Sequence, residues 1–509
     1  MIFGLWGVAG FYATLPGWRL ISINCKRTAR PAESFGLTFL GELFSFLQDF
    51  YYIIRENRRK RDLMKIALIA VRPKHSAYGL FNIMPLGPLY LGTILSNRGH
   101  EVTVYDEART PVYHKKKGIL YPSVWESDWV MLSVISPAAN RAYDLLKAVH
   151  EGNPSIRTAV GGPHVLGREQ AEKFAQIADA VVQKEAENIL GDLINGQLKG
   201  IVEGPVVENL DQLPVPDLNL VYQPRKNLFD YFKLTPISTA RGCPRACEFC
   251  SVSCIHGKKV RRRSVEQVMA ELRQRRQEGY KRIFFVDDNF SVQPAKRKPL
   301  LEAMVDEKAK GRWFESMIVQ DEVPGLLKGG DEYVRLLKQA GIKTVMLGVE
   351  SFDDEKLKML HKTHSRTDSE QALRLLRAHG IIIYAFGMAK PVVDDKQSIR
   401  TQFKKLKQEG VTYADMTIET PIPGTAYWEK CKSSLSAMTN GAPDWDKWTF
   451  LSPVIPTRYM TPDAFRKEVK RNMQRFYSPL RALKHILRGN IRKGLTILYV
   501  WVTAGRMYT

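Results

Sequence analysis

The chain has 509 residues, of which 44% are hydrophobic and 10% aromatic, which supports two or three folded domains and excludes a disordered protein. Six unevenly spaced cysteines exclude a secreted disulfide framework, so we expect a reducing, cytoplasmic compartment. The formal net charge of +23 predicts an acidic partner, and nucleic acid, an anionic membrane face and a phosphorylated substrate all qualify.

Residues 1–63 differ in pattern from the rest of the chain. The apolar segment "FGLTFLGELFSFLQDFYYII" contains Glu42 and Asp49 and precedes the basic run "RENRRKR". This pattern favours an interfacial helix over a transmembrane span. Alternatively, residues 1–63 are an upstream extension with no structural role, since "MKIALIAV" from Met64 resembles the first strand of an α/β protein. Both interpretations stay open.

From Met64 onward, short apolar runs alternate with helical stretches. Residues 64–205 are predicted to form a Rossmann-type, doubly wound parallel sheet, whose ligand site lies beyond the carboxyl ends of the strands. The predicted strands are 65–71, 101–106, 129–136, 157–164 and 179–183, and the predicted helices are 87–100, 138–151 and 167–177. Gly161, Gly162, Pro163 and His164 form a loop at such a strand end, where glycines let a ligand approach the backbone. The alternative is a simple turn.

A linker is predicted at residues 206–225, because "DQLPVPDLNL" is polar and contains two prolines. Residues 226–430 contain a second α/β series, with strands expected near 236–240, 282–287, 314–320, 344–350, 381–387 and 413–419 and helices at 264–280 and 369–380. Six β/α units are too few for a closed eight-unit barrel. We therefore expect a partial (β/α)6 barrel with its active site at the carboxyl ends of the strands. Residues 431–509 are predicted to be a basic helical region.

Three cysteines, Cys243, Cys247 and Cys250, follow the first strand of the second series. The flanking glycine and proline break a helix here, so this C-x3-C-x2-C motif is expected to be a loop around a metal centre. Structural zinc takes four protein ligands, and iron–sulfur clusters usually take four thiolates. Three thiolates would leave one iron of a cubane cluster open to a substrate or cofactor. If Cys254 supplied a fourth ligand, the site would close as a zinc site.

This motif, with the aromatic Phe249 before its last cysteine, resembles that of the radical S-adenosylmethionine superfamily. The resemblance implies that Cys243, Cys247 and Cys250 hold a [4Fe–4S] cluster whose fourth iron binds the amino and carboxylate groups of S-adenosylmethionine. The reduced cluster then cleaves the sulfonium to a 5′-deoxyadenosyl radical, which takes a hydrogen atom from the substrate. Phe249 is expected near the adenine, and Cys254 is expected to be dispensable for the cluster.

Over about residues 65–490 the chain resembles the subgroup of this superfamily with an N-terminal cobalamin-binding domain. The segments that carry this resemblance are "CSVSCIHGKKVRRRSVEQVMAEL", "IFFVDDNF", "VMLGVES", "PIPGTAYWE" and "RFYSPLRALKHIL". The resemblance implies contacts to S-adenosylmethionine from Asp288, or its neighbour Asp287, and from Glu350 and Ser351. For each of these residues, strand-end capping or ion pairing is the alternative.

The same resemblance implies a cobalamin cofactor, bound at "VGGPHV" through Gly161, Gly162, Pro163 and His164. The D-x-H-x-x-G signature, whose histidine coordinates cobalt, is absent, as it commonly is in this subgroup. Lys184 stands where the subgroup usually has a glycine, and this departure counts against the usual contact to the nucleotide tail of cobalamin. We predict that cobalamin is bound.

Basic residues are concentrated in two further segments. Lys258–Arg263 is predicted to be a solvated face, or a contact to an anionic substrate group, and the adjacent His256 is predicted to be a loop residue. Residues 465–495 carry ten Lys or Arg and one acid, with apolar residues at helical spacing. This pattern indicates a basic amphipathic helix on an anionic membrane surface, or a helix that packs on the barrel. No motif for nucleic-acid binding is found, so we expect no nucleic acid partner.

The predicted function is that of a cobalamin-dependent radical S-adenosylmethionine enzyme that methylates an unactivated carbon of a small molecule or lipid. Radical coupling, cyclisation or oxidation without methyl transfer is the alternative, and a basic zinc-binding module is the remote one. The expected partners are a one-electron reductant of the flavodoxin or ferredoxin type and the inner face of the membrane.

Overall fold

A computed structural model describes residues 63–73, 83–114, 116–223, 234–311, 313–439 and 441–507. These residues belong to one unit of the chain, Leu63–Thr509. The expected interfacial helix within residues 1–63, and its alternative, lie outside the described residues except for the last position.

The first domain is a parallel sheet flanked by helices. Its strands are β1 (Lys65–Ala70), β2 (Glu101–Asp106), β5 (Trp129–Ser133), β6 (Arg157–Gly161), β7 (Ala180–Lys184) and β8 (Gly200–Gly204), after a small hairpin of β3 (Tyr113–His114) and β4 (Gly118–Ile119). Its helices are α1 (Leu86–Asn97), α2 (Pro122–Trp125), α3 (Ala139–Gly152), α4 (Arg168–Ala175) and α5 (Leu190–Ile194). The strand order β2-β1-β5-β6-β7-β8, with every neighbouring pair parallel, confirms the doubly wound sheet.

Burial explains why the first sheet forms from these segments. Four consecutive residues of β1 are buried, as expected for a parallel strand that is covered on both faces. Helix α3 buries Ala142, Leu145, Leu146 and Val149, which are spaced to share one face of the helix. The sequence did not predict β8, because "GIVEG" is a partly exposed edge strand that lacks a continuous apolar run.

The second domain is the expected partial barrel. Its parallel strands are β9 (Thr235–Ile237), β12 (Arg282–Phe285), β13 (Ser316–Glu322), β14 (Ile342–Glu350), β15 (Ile382–Ala389) and β16 (Tyr413–Ile418), in the order β16-β15-β14-β13-β12-β9. A short antiparallel pair, β10 (Ala240–Arg241) and β11 (Arg261–Arg262), closes the first loop. The helices of this domain are α6 (Val252–His256), α7 (Val265–Gln277), α8 (Pro294–Ala309), α9 (Val323–Ala340), α10 (Asp354–Met359), α11 (Arg366–Ala378), α12 (Lys396–Gln408) and α13 (Ala426–Cys431).

The segment after the barrel packs on both domains. It contains a hairpin of β17 (Met438–Thr439) and β18 (Ala442–Pro443), then α14 (Pro462–Phe476), α15 (Pro479–Leu487) and α16 (Ile491–Met507). Trp445 and Trp448 join the buried core of the first domain, whereas Phe465, Val469 and Phe476 of α14 join the core of the barrel. The expectation of a helix that packs on the barrel therefore applies to α14.

A buried carboxyl on β16 makes the stability of the barrel depend on pH. Burial raises the pKa of Asp415 to about 6. Because the folded pKa lies above the unfolded value of about 3.9, stability is lost as the pH rises from about 4 to about 6. We expect Asp415→Asn to raise the Tm by about 2–4 °C at pH 8 and by less at pH 5. The control is Asp306→Asn on an exposed turn of α8. The Tm is measured by thermal unfolding of the metal-free protein at both pH values. An equal rise in Tm at pH 5 and pH 8 would contradict this assignment.

Candidate active site

The three motif cysteines line one cavity of about 190 Å³ at the carboxyl ends of the barrel strands. The other walls come from the loop after β12, from the ends of β13, β14 and β15, and from the turn after α10. These walls contribute Asp288, Asn289, Gln320, Glu322, Met346, Gly348, Glu350, Lys362 and Phe386. Phe249 lies in the same lining. The structure thus brings together the cysteines, Phe249, Asp288 and Glu350 that the sequence nominated.

The loop that carries the cysteines is held closed at its base. The antiparallel pair β10 and β11 brackets it, and the backbone amide of Cys243 donates to the carbonyl of Gly257 at 3.3 Å. Gly242 has φ +93°, and a Cβ there would lie 2.3 Å from the carbonyl oxygen of Lys259. Only glycine fits this position without moving the loop. At its middle, the loop accepts a hydrogen bond at the carbonyl of Glu248 from the amide of Tyr427, at 3.0 Å.

Burial raises the pKa of all three motif thiols, that of Cys250 to about 12. Coordination to a metal centre opposes this effect, because a coordinated thiol is deprotonated. Across the described residues no three His, Cys, Asp or Glu side chains converge on a single ion. A cubane cluster makes no such demand, since each thiolate ligates a different iron.

Polar groups in the cavity fit a bound cofactor. The Oδ1 atom of Asn289 is buried and finds no donor among the described residues. Such an orphaned acceptor is costly unless a ligand supplies the missing hydrogen bond. An unpartnered acceptor beside three thiols and an aromatic ring suits a [4Fe–4S] cluster with S-adenosylmethionine, whose amino group has N–H donors. The role of the three cysteines as ligands stays a prediction that this donor set supports.

Two ion pairs frame the cavity, and the sequence nominated only one of the four residues. Arg245 donates from Nε to Glu322 at 2.6 Å, and its second contact makes the pair bidentate. Lys362 donates from Nζ to Glu350 at 2.9 Å and lies 5.3 Å from the ring centroid of Phe249. Burial would lower the pKa of Lys362, yet the carboxylate of Glu350 and the nearby thiols raise it. Of the three residues that the sequence analysis missed, only Arg245 could have been found, because it lies inside the cysteine motif.

Glu350 adopts a left-handed backbone conformation with φ +59°, which is unfavourable for a residue other than glycine. Gln402 holds this turn, because its amide donates to the carbonyl of Glu350 and its carbonyl accepts from the amide of Phe352. Strained residues of this kind cluster at functional sites. Ser351 differs, since its buried hydroxyl accepts from the amide of Asp353 and does not line the cavity.

The neighbouring acids Asp287 and Asp288 have different surroundings. Asp287 is buried and accepts from the amides of Thr239 and Ala240 and from Arg297, so it fixes the turn after β9. Asp288 faces the cavity, and the amide of Gly242 donates to its carboxylate at 3.3 Å. Burial raises the pKa of Asp288. Of the two candidates, Asp288 is the one that a ligand in the cavity could contact.

A second cavity, of about 350 Å³, lies between the two sheets. The ends of β5, β6 and β7 form one wall, and Arg241, Val286 and Asp288 of the barrel form the other. Asp288 is the one described residue that lines both cavities. The cavity stands at the carboxyl ends of a doubly wound sheet, where such folds bind ligands.

The loop predicted to bind cobalamin contributes only in part to this second cavity. Gly161, Gly162 and Pro163 line it. Gly162 has φ +102°, and a Cβ there would lie 2.7 Å from the carbonyl oxygen of Val134, so the turn itself requires glycine. The side chain of His164 is not in the lining. It is fully buried, its Nδ1 lies 3.1 Å from the hydroxyl of Ser136, its ring packs against Trp445 at 4.5 Å, and burial lowers its pKa to about 3.

The basic run was predicted to be a solvated face, and this is wrong for its second half. Arg261 and Arg263 are only 4% and 7% exposed. Arg261 donates to Glu185 of the first domain at 2.7 and 2.9 Å, and Arg263 pairs with Glu271. Arg261 in β11 and Arg263 just after it lie two positions apart, and side chains two positions apart along extended chain share one side.

Glu185 is the centre of a buried cluster at the wall of the second cavity. Its carboxylate also lies 2.7 Å from Nδ1 of His256 and 3.6 Å from a guanidinium nitrogen of Arg241. Burial would raise the pKa of Glu185, but the hydrogen bonds from Arg261 and His256 hold it well below the usual range. His256 was predicted to be a loop residue, but it is the last residue of α6 and a partner of this cluster. Lys184, beside it, has φ +62°, the conformation that explains why glycine is usual there.

Cys254 lies apart from the three motif cysteines. It lines a different cavity, and its thiol donates to the carbonyl of Gly424 at 3.4 Å. The four cysteines therefore do not surround one point, which argues against the closed zinc site. The dispensability of Cys254 stays a prediction.

Comparison with known proteins gives matches over both domains. The Radical SAM superfamily matches residues 237–401, and the B12 binding domain matches residues 79–194. An uncharacterized methyltransferase of Pyrococcus horikoshii is 26% identical over 415 residues, which are 77% of this chain and 87% of that protein. The hopanoid C-3 methylase of Methylococcus capsulatus is 26% identical over 461 residues, 85% of each chain.

Among solved structures, the cobalamin-dependent S-adenosylmethionine radical enzyme OxsB, with aqua-cobalamin and S-adenosylmethionine bound, has a similar fold. Its TM-score is 0.63 at 16% identity, over 88% of this chain and 72% of that chain.

Proposed function

Since the chain belongs to the radical S-adenosylmethionine superfamily and carries a B12-binding domain, we propose that it methylates an unactivated carbon of a hydrophobic small molecule or lipid. One observation carries the proposal. The cavity of the three thiols and the cavity beside the first sheet meet at Asp288. A substrate held at this junction would face both cofactors, which is the arrangement that methyl transfer to a carbon radical needs.

The cofactors of the proposal are a [4Fe–4S] cluster with S-adenosylmethionine and cobalamin. When bound, they supply a 5′-deoxyadenosyl radical and a transferable methyl group. The residues of the chain bind and orient these groups. Cys243, Cys247 and Cys250 would hold the cluster, and Asn289 offers an acceptor to S-adenosylmethionine.

The remaining cavity residues would fix the position of S-adenosylmethionine. Glu350, paired with Lys362, and Phe249 stand in the same lining as the thiols, so they would contact its polar groups and its adenine. Gly161, Gly162 and Pro163 would border cobalamin in the second cavity. Asp288 would position the substrate between the two.

A hydrophobic substrate is favoured by apolar side chains in the lining of both cavities and by the relatives. Val286 lines one cavity, and Met346 and Phe386 line the other. One matched relative is a hopanoid methylase. The reductant in this proposal is a flavodoxin or ferredoxin, and the site of action is the cytoplasmic side of the membrane.

The test is an anaerobic incubation of reconstituted protein with S-adenosylmethionine, cobalamin, reductant and a polyprenoid or tetrapyrrole lipid. We expect 5′-deoxyadenosine and S-adenosylhomocysteine together, with a methylated lipid detected by mass spectrometry. If the protein formed 5′-deoxyadenosine but neither S-adenosylhomocysteine nor a methylated lipid, methyl transfer would be overturned in favour of radical coupling, cyclisation or oxidation. If protein loaded with its cofactors formed neither 5′-deoxyadenosine nor S-adenosylhomocysteine, the proposal as a whole would be overturned.

A further inference from the structure

The last two helices expose an unusual concentration of apolar side chains. Of the 17 large hydrophobic residues that are exposed among the described residues, eight lie on α15 and α16. We call these eight the C-terminal apolar face: Leu480, Leu483, Leu487, Ile491, Leu495, Leu498, Tyr499 and Val502. Leu480 and Leu487 are 79% and 78% exposed. Isolated exposed leucines are ordinary, but a contiguous set marks an interaction surface.

The exposure follows from how the two helices are held. The opposite faces are buried, through Ala482 on α15 and through Gly494, Ile497 and Val500 on α16. Gly494 allows close packing, since a Cβ there would lie 2.4 Å from the side chain of Ile486. The C-terminal apolar face points outward because the opposite faces of α15 and α16 are packed against the rest of the protein.

Arg481 fixes this arrangement to the barrel. Its guanidinium donates to the carbonyls of Phe476, Val411 and Thr412 at 2.8–3.0 Å and stacks 4.2 Å from the ring centroid of Phe476. On α16, Lys493 reaches the hydroxyl of Thr412 at 3.4 Å. The apolar face thus lies at the amino end of β16, away from the strand ends that hold the cysteines.

The charge around the apolar face is of one sign. From residue 469 to the end of the chain there is no Asp or Glu. Lys484, Arg488 and Arg492 are exposed beside the leucines. An apolar stripe flanked by basic side chains matches a surface that is hydrophobic below and anionic above, as a bilayer with acidic headgroups is.

Other occupants match less well. A second copy of the chain would bring the same basic residues together, and like charges repel across an interface. Residues 1–62 contain their own basic run, "RENRRKR", and meet the same objection. No helix of the described residues is both long and apolar enough to cross a membrane.

We propose that α15 and α16 dock the protein on an anionic bilayer, with the C-terminal apolar face in the acyl boundary and Lys484, Arg488 and Arg492 at the headgroups. This contact is separate from the proposed chemistry and would hold even if the protein acted on a different substrate.

The test is vesicle flotation of the full chain with phosphatidylcholine alone and with phosphatidylglycerol added. We expect binding to the anionic vesicles, weakened by salt, and at least a tenfold loss of partitioning in Leu480→Ser/Leu487→Ser. The charge variant Lys484→Gln/Arg488→Gln/Arg492→Gln should lose the preference for phosphatidylglycerol. Ile201→Ser, at an exposed apolar residue of the first domain, is the matched control and should bind like the parent.

Three results would overturn the proposal. Both the leucine variant and the charge variant could bind vesicles like the parent, which would place the contact elsewhere on the chain. The parent could fail to bind vesicles and instead run as a dimer that Leu480→Ser/Leu487→Ser dissociates, which would assign the face to a second copy. Alternatively, without vesicle binding, the same variant could expose residues 1–62 to protease, which would assign the face to that segment. Circular dichroism and thermal unfolding check that each variant is folded.

Discussion

Replacing any one of Cys243, Cys247 and Cys250 with alanine is expected to abolish cleavage of S-adenosylmethionine and to remove most of the bound iron and sulfide. The three thiols line one cavity, and no fourth cysteine among the described residues reaches it. Two remaining thiolates cannot hold a cubane cluster that already uses fewer than the usual four. Cys254→Ala, by contrast, should retain both iron and activity, because its thiol donates to the carbonyl of Gly424 in another cavity.

The measurement is iron and sulfide content together with 5′-deoxyadenosine formed under anaerobic conditions. Cys254→Ala is the matched control, since it removes a thiol from the same loop. If the parent contained zinc instead of iron, and if each of the four cysteine variants lost that zinc equally, the result would contradict the three-thiol cluster and support the closed zinc site. Thermal unfolding separates loss of the cluster from loss of the fold.

The architecture was predictable because buried parallel strands leave a continuous apolar signal. Strands β1, β2, β5, β6 and β7 of the first sheet and all six barrel strands were predicted with boundaries close to those observed, whereas the short hairpin of β3 and β4 was not predicted. The edge strand β8 escaped, since its partly exposed side chains between two glycines carry no such run. The insertion of Trp445 and Trp448 into the core of the first domain was also invisible, because nothing local specifies which distant core a tryptophan joins.

The site was predictable where a motif carries it and unpredictable where the fold assembles it. The cysteines and Phe249 stand in one short motif. Glu322 meets Arg245 from 77 positions away, and Lys362 reaches the cavity from the turn after α10. Such partners are fixed by the order of the barrel strands rather than by local spacing. The buried half of the basic run did have a signal, since alternate residues of a strand face inward.

Glu185→Ala is expected to lower the free energy of unfolding by about 3–5 kcal/mol, the range for breaking a buried ion pair by removing one partner. The side chains of Glu185 and Arg261 are each only 2% exposed, and the pair joins the first domain to the barrel. Without the carboxylate, Arg261 and the nearby Arg241 would remain buried with one counter-charge fewer. Because the folded pKa of Glu185 lies below the unfolded value of about 4.3, its contribution is present above that pH and is lost as the pH falls.

Denaturant unfolding of the metal-free protein at neutral and acidic pH measures this effect. Glu203→Ala is the control, since Glu203 pairs with Lys184 on the surface with 61% of its side chain exposed, and such pairs are worth about 0–1 kcal/mol. Equal destabilisation by the two variants would contradict a structural role for the buried cluster. Glu185 also lines the second cavity. Cobalamin binding is therefore measured at a temperature where Glu185→Ala is still folded, to test whether the buried cluster shapes that cavity. Weaker binding by folded Glu185→Ala, with Glu203→Ala unchanged, would show that one carboxylate both joins the domains and shapes the site between them.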